Sequence, residues 1–356
     1  MAYLPLSTAN LPDPAIDPAQ GSSPEDYFNV ALYAGNSSTQ SITGVGHQPD
    51  FLWIKGRTVT GENHALVDVV RGTDKYLFSS YVAGTEDTNT NRVTSFDSDG
   101  FSIGNQGDVN TTGRNYVAWS WKANGSGVSN TDGSIPSDVS ANTESGFSIV
   151  SYTGTGANAT VGHGLDSAPE MIIFKERNGA TNWPVYHSGL SSAAYALELN
   201  QTLAQFSYPA YFQSTDPTSS VFYIGTDTYI NNNTDNYIAY CFHSVEGFSK
   251  FGSYTGNGNA DGTFVYTGFR PAFVILKRTD SANAWVMYDT ARETENVHNS
   301  ILLVESYGAE TTTSNTLDII SNGFKLRSSE GATNASGGTY IFMAFSANPF
   351  KYSTAF

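Results

Sequence analysis

One cysteine, Cys241, stands alone in 356 residues. A lone thiol cannot close an internal disulfide, and it excludes a cysteine-based metal cluster. Charge is scarce as well: Asp, Glu, Lys and Arg make up 14 % of the chain, against a usual share of about 25 %. What charge there is leans one way, with 17 basic and 33 acidic residues for a net −16. Nucleic-acid binding shows itself as a basic patch, and a surface this acidic should repel DNA, RNA and anionic lipid. Long apolar runs are missing too, and none approaches the roughly 20 residues of a bilayer span. The opening MAYLPLSTANLP has neither the basic nor the apolar region of a secretory signal. No stretch carries a capped 3.6-residue apolar period. At most a turn of helix is expected within 191–201 and at the start of 293–304.

Glycine (34), tyrosine (21) and phenylalanine (21) are plentiful. So many aromatics separate the chain from disordered sequences, and the mix of Tyr, Phe, Thr and Val leans toward β structure. The sequence also repeats itself. PDFLWIKGR (from Pro49), PEMIIFKER (from Pro169) and PAFVILKRT (from Pro271) are one phrase written three times. Each is followed by a closing phrase, NYVAWSW, NYIAYCF or TYIFMAF. From the proline to the tyrosine of that phrase (Tyr116, Tyr237, Tyr340) the spacing is 67, 68 and 69 residues. An opening tyrosine (Tyr33, Tyr152, Tyr254) precedes the proline by 16, 17 and 17 residues. The period is too long for a solenoid repeat of about 20–50 residues and matches a domain of about 100.

Within a unit the patterns are those of strands. GFSIVSY alternates with period two, while FLWI, MIIF and FVIL are continuous apolar runs suited to strands covered on both sides. In the closing phrase Val117, Trp119 and Trp121 face one way, with Tyr116, Ala118 and Ser120 opposite. The fold expected is all-β: three tandem β-sandwich domains of jelly-roll type over 25–123, 145–245 and 246–356, with 124–144 as a linker. Residues 1–24 hold Pro5, Pro12, Pro14, Pro18 and Pro24. Such a stretch is extended and is either a loose tail or an arm that docks on a neighbouring chain.

The search for chemistry returns little. None of His47, His64, His163, His187, His243 and His298 lies within four residues of another, so no local metal pair forms, and they read as turn or surface residues. GTGANATVGHG sits between two strands and reads as a hairpin rather than a phosphate cradle. SFDSDGF half-resembles a calcium loop and a sialidase box but reads as an Asp-Gly turn. Lys55, Lys175 and Lys277 recur in the three units and read as solubilising strand ends. Trp53, Trp119, Trp121, Trp183 and Trp285 could stack on sugars but read as strand and core residues. No catalytic, cofactor-binding or metal-ligating residue stands out, and an enzyme is not expected.

The phrases GFSIVSYTGTGANATVGHGL, TSFDSDGFSIG and NYVAWSWKANG resemble repeats in virion structural proteins of marine and cyanobacterial tailed phages, of the tail-fibre-like kind. The resemblance implies a place on the particle, after assembly in the host cytoplasm, and no catalytic residues. It implies other virion proteins as partners through the N-terminal arm, self-association as a trimer, and attachment to host-surface glycans. An array of carbohydrate-binding modules is the alternative, and a polysaccharide depolymerase the weaker third reading.

Overall fold

The computed structural model describes residues 13–80 and 84–352. Among them the chain is strand and loop, with three four-residue helices and short 3-10 turns. No helix among the described residues is long and apolar enough to cross a membrane. The strand order repeats three times. In each unit the opening strand (Phe28–Ala34, Phe147–Thr153, Ser249–Thr255) pairs with the closing strand (Asn115–Trp121, Asn236–Phe242, Thr339–Pro349). The closing strand then pairs with the proline strand (Phe51–Gly56, Met171–Glu176, Phe269–Arg278). Next come Ala65–Asp68, Pro184–His187 or Trp285–Asp289, and then Lys75–Phe78, Tyr195–Glu198 or His298–Leu303.

A small second layer covers the outer face of each main sheet. It is Gln40–Thr43, Gly100–Ile103 and Val93–Asp97 in unit one, and Ala159–Gly162 with Val221–Ile224 in unit two. In unit three Thr311–Ile320, Gly323–Leu326 and Phe264–Tyr266 do the same work while remaining hydrogen-bonded to the main sheet. The period-two side chains of the main sheets therefore have two destinations. Leu52, Ile54, Tyr116 and Ala118 point outward into their own unit's core, as do Ile172, Phe174, Tyr237 and Ala239 and Val274, Leu276, Phe342 and Ala344.

The alternate residues all point to one place. Phe51, Trp53, Trp119 and Trp121 of unit one meet Phe147, Ile149, Met171, Tyr240 and Phe242 of unit two and Phe273, Ile275, Met343 and Phe345 of unit three in a single apolar cluster. Ring contacts cross all three units: Phe51 stacks on Tyr240 with centroids 4.3 Å apart, Phe28 on Phe345 at 4.9 Å, and Trp121 meets Phe242 at 6.4 Å. Three β-sandwich units are present, but the expected string of independent domains is corrected to three sheets closed around one interior. Continuous apolar runs are covered on both sides because each sheet faces its own layer and the shared core.

Three smaller expectations are corrected. The stretch 124–144 is not a linker: Val128–Asn130 and Ser137–Asn142 form strands that extend unit two's sheet beyond its opening strand, with Val139 paired to Val150. Of the segments proposed for helical turns, 191–201 forms strand Tyr195–Glu198 instead, and the start of 293–304 is coil and bend leading into strand His298–Leu303. The four-residue helices fall at Gly107–Asn110, Pro209–Phe212 and Thr228–Asn231. The glycine-rich GTGANATVGHG is no hairpin, since Phe147–Thr153 lies in the main sheet while Ala159–Gly162 pairs with Val221–Ile224. It arches between layers, carrying the chain across the core. The Asp-Gly turn at Asp99–Gly100 forms as expected, with Asp97 opposite Gly100.

The shared interior makes the units interdependent. A fragment of residues 145–245 would uncover Phe147, Ile149, Met171, Ile173, Tyr240 and Phe242 together, each side chain worth about 1.5–3 kcal/mol on burial. Denaturant titration is expected to give one cooperative transition for the whole chain and none for this fragment. A fragment that unfolds cooperatively by itself would refute the shared-core account.

Candidate functional site

The repeated phrases are the parts of one node, built three times at one end of the barrel-like assembly. The opening and closing tyrosines stack: Tyr33 on Tyr116, Tyr152 on Tyr237 and Tyr254 on Tyr340, with centroids 5.2, 5.2 and 4.8 Å apart. Each closing hydroxyl accepts a bond from a loop N–H (Thr111, Asn232, Ala335) and donates to the carbonyl of Gly107, Thr228 or Gly331. Each opening hydroxyl donates to Val109, Ile230 or Thr333.

A fully buried asparagine completes each node. Asn231 accepts from Thr155 N–H at 2.7 Å and donates to Ala157 and Gly225, both at 2.6 Å. Asn110 and Asn334 make the matching bonds. These asparagines escaped the sequence reading, although each sits six residues before the closing tyrosine. The glycine two residues after the opening tyrosine is required by close approach. A Cβ on Gly35, Gly154 or Gly256 would lie 2.2, 2.2 or 2.4 Å from a loop carbonyl oxygen.

The recurring lysines belong to this end as well, but not as solubilising groups. Lys55, Lys175 and Lys277 are buried because they lie on the inward face of the proline strand, two residues beyond Trp53, Ile173 and Ile275. Their ammonium groups tie down loops. Lys55 donates to Gly56 and Glu62 carbonyls at 3.0 and 2.9 Å, and Lys175 to Glu176 and Gly179 at 2.8 and 3.0 Å. Lys277 reaches Asn283 and, in the next unit, Thr202 at 3.0 Å. Burial pulls all three down to about 8.

The units are stitched in cyclic order. The carbonyl eight residues after the repeat proline accepts a main-chain bond from the neighbouring unit each time: Arg57 from Glu310, Arg177 from Glu86, and Thr279 from Gln205. Two of the three seams add charge. Arg177 grips Glu86 at 2.8 and 2.9 Å, and Arg71 bridges Asp68, Glu86 and the Tyr240 hydroxyl. At the matching seam Arg57 grips Glu310 at 3.0 Å, Arg292 bridges Glu310 and Asp289, and the Trp119 indole donates to Asp289 at 3.1 Å. Burial alone would raise Glu86 and Glu310, but the flanking guanidinium groups win and hold both below the usual carboxylate range.

The third seam has no guanidinium–carboxylate pair among the described residues, and the Lys277 ammonium crosses it only to the Thr202 carbonyl. Its counterpart of Asp68 and Asp289 is His187, fixed by the same register opposite Met171 as they are opposite Phe51 and Phe273. His187 faces the Phe342 carbonyl at 3.3 Å, and burial pushes it down to about 4. All six histidines are in fact buried, which corrects the surface reading. Short strands leave little surface, and each ring except His298 has a hydrogen bond or facing carboxylate within reach.

The opposite end carries the arm. Of the arm prolines, Pro5 and Pro12 lie outside the described residues. Pro14 and Pro24 are buried, and Pro18 begins a 3-10 turn capped by Asp17. The described half of the arm therefore docks on its own chain. Ile16 enters the shared core, Lys351 pairs with Asp13, and the Tyr352 hydroxyl donates to Asp17 at 2.5 Å. Beside it opens a cleft of about 430 Å³ lined by Pro14, Glu246, Lys250, Tyr266 and Lys351.

All five tryptophans are buried, so none offers an indole to a sugar. No group of three His, Cys, Asp or Glu side chains among the described residues could hold a metal ion. A family model described as a domain of unknown function (DUF7483) matches residues 23–349, running through all three units. No curated protein matches the sequence.

Removing a node asparagine should be costly, because three buried main-chain groups lose their partner at roughly 1–3 kcal/mol each. Asn231→Ala is expected to lower stability by about 3 kcal/mol or more, while Asn233→Ala, exposed two residues on, should change it by less than about 0.5 kcal/mol; urea titration measures both. The seam that holds His187 should be acid-sensitive. The folded state holds His187 below its unfolded value, so its contribution is present above pH 6.5 and is lost as pH falls toward 4. From pH 7 to 5 the native chain should lose about 2 kcal/mol that His187→Gln does not lose. Equal losses in the two proteins would refute this assignment.

Proposed function

The chain belongs to the DUF7483 family, and from that footing we propose that it is a non-enzymatic structural component of a virion, fixed to the particle at its arm end and turned outward at its loop end. One observation carries this reading: the two ends of the molecule are built for different work. Residues 13–24 and 350–352 lie together at one end. At the other end three tyrosine–asparagine nodes hold rigid loops rich in Asn, Thr, Ser and Gly. Rigid loops on a fixed scaffold are where binding residues concentrate. The resemblance of the repeats to tail-fibre-like proteins supports the same placement.

A host-surface glycan is the ligand class this loop end suits, through adaptable polar groups and the 56 % exposed Tyr307 at the seam between units one and three. Aromatic faces and amide side chains together serve sugar rings. Antibody labelling of purified particles in the electron microscope should decorate tails, fibres or head surface. Particles that lack the protein would end the proposal. Self-association is a separate matter. The threefold closure that a fibre trimer provides between chains is supplied here within one chain, so light scattering at micromolar concentration should return the mass of a single chain. A trimer would restore the expectation drawn from the sequence.

A further inference from the structure

The cleft at the arm end has a charge left over. Three of the eight lysines are consumed by carbonyls inside the loop end. Lys75, Lys325 and Lys351 are ion-paired, and Lys122 lies over the Tyr27 ring at 5.5 Å. Lys250 lines the cleft and makes no ion pair among the described residues. In a chain of net charge −16, a cation left open in a concave site is out of keeping with the rest of the surface.

The same cleft already shows what chemistry it accepts. The arm runs Asp13-Pro14-Ala15-Ile16-Asp17-Pro18 along its rim. Pro14 and Ile16 turn inward and are buried, while Asp13 meets Lys351 and Asp17 meets Tyr352. Ala15 N–H reaches the Glu246 carbonyl at 3.3 Å. Pro14 fits because residue 247 is glycine, with φ of +78°. A Cβ there would come within 2.6 Å of the proline ring.

Lys250 and Tyr266 line the same cleft as Pro14. Tyr266 is 59 % exposed and Phe264, on the same side of the strand, 45 %. Their strand, Phe264–Tyr266, ends its sheet, and such an edge can pair with an extended chain. The opposing charge in the lining is Glu246, at the exposed rim.

We propose that this cleft is a docking site for an extended acidic, proline-bearing segment of a partner protein, with its carboxylates on Lys250 and its prolines against Tyr266. Pro14 of the arm already lines one part of this cleft in its own chain. Docking there deepens the anchoring half of the proposed function. The two fail separately, because peptide binding is measured on the isolated chain and particle location is not.

The test is calorimetric titration of the full chain with a synthetic peptide of repeated Asp-Pro-Ala-Ile units, at low and at raised salt. Saturable binding that weakens about fivefold or more in Lys250→Glu, and likewise in Tyr266→Ala or at raised salt, is expected. The peptide with Asn in place of Asp should not bind. Both substituted side chains are solvent-accessible, and unchanged melting of the variants checks that the fold is kept. Absence of binding to the native chain, or equal binding by Lys250→Glu, overturns the proposal. So does a cleft that takes neutral oligosaccharides through Tyr266 and ignores the peptide, which would assign it to glycans.

Discussion

Everything in this molecule depends on the closure of three sheets around one apolar interior. Each sheet alone would present a broad face of Phe, Trp, Ile and Met to water. Joined, the three faces cover one another, with Phe28, Phe51, Phe242 and Phe273 each meeting the Trp121 ring and Phe345 meeting Phe242. Non-directional burial of this kind supplies the bulk of folding free energy. It does not fix which unit sits beside which.

That task falls to the seams. The seam between units three and one joins elements far apart in sequence, and it carries the Arg57, Arg292, Asp289, Glu310 and Trp119 network. The seam between units two and three is spanned by the shortest covalent connection and carries no such network. Buried charge clusters add little net stability compared with apolar packing, and their better-supported role is to specify one arrangement. The seam between units one and two carries the matching Arg177, Glu86, Arg71 and Asp68 network, so buried charge marks two of the three seams and its absence sets the third apart.

Rigidity at the loop end and a remaining cation at the arm end then follow from the same economy of charge. Nearly every basic side chain is committed internally, to a carboxylate or to loop carbonyls. The nodes add neutral hydrogen bonds from fully buried Asn and Tyr, which hold loops without placing charge in the interior. What is left for an outside partner is small and localised, which is why Lys250 and its aromatic neighbours stand out.

The triplication, the strand character of each landmark phrase and the all-β class were legible in the sequence, because period-two alternation and fixed spacing are local properties. Tyr33, Tyr116 and the residues aligned with them were visible as landmarks, and the buried asparagines could have been found by the same constant spacing. The rest was not legible. Alternation says that a strand has two faces and does not say what covers each, so the lysines two residues past Trp53, Ile173 and Ile275 read as solubilising strand ends although they are interior groups. Whether GTGANATVGHG closes a hairpin or arches between layers depends on pairing partners some sixty residues away. The sequence by itself determined three copies of one β unit; tertiary structure alone decided that they share a core, because burial is settled between sheets and not along a strand.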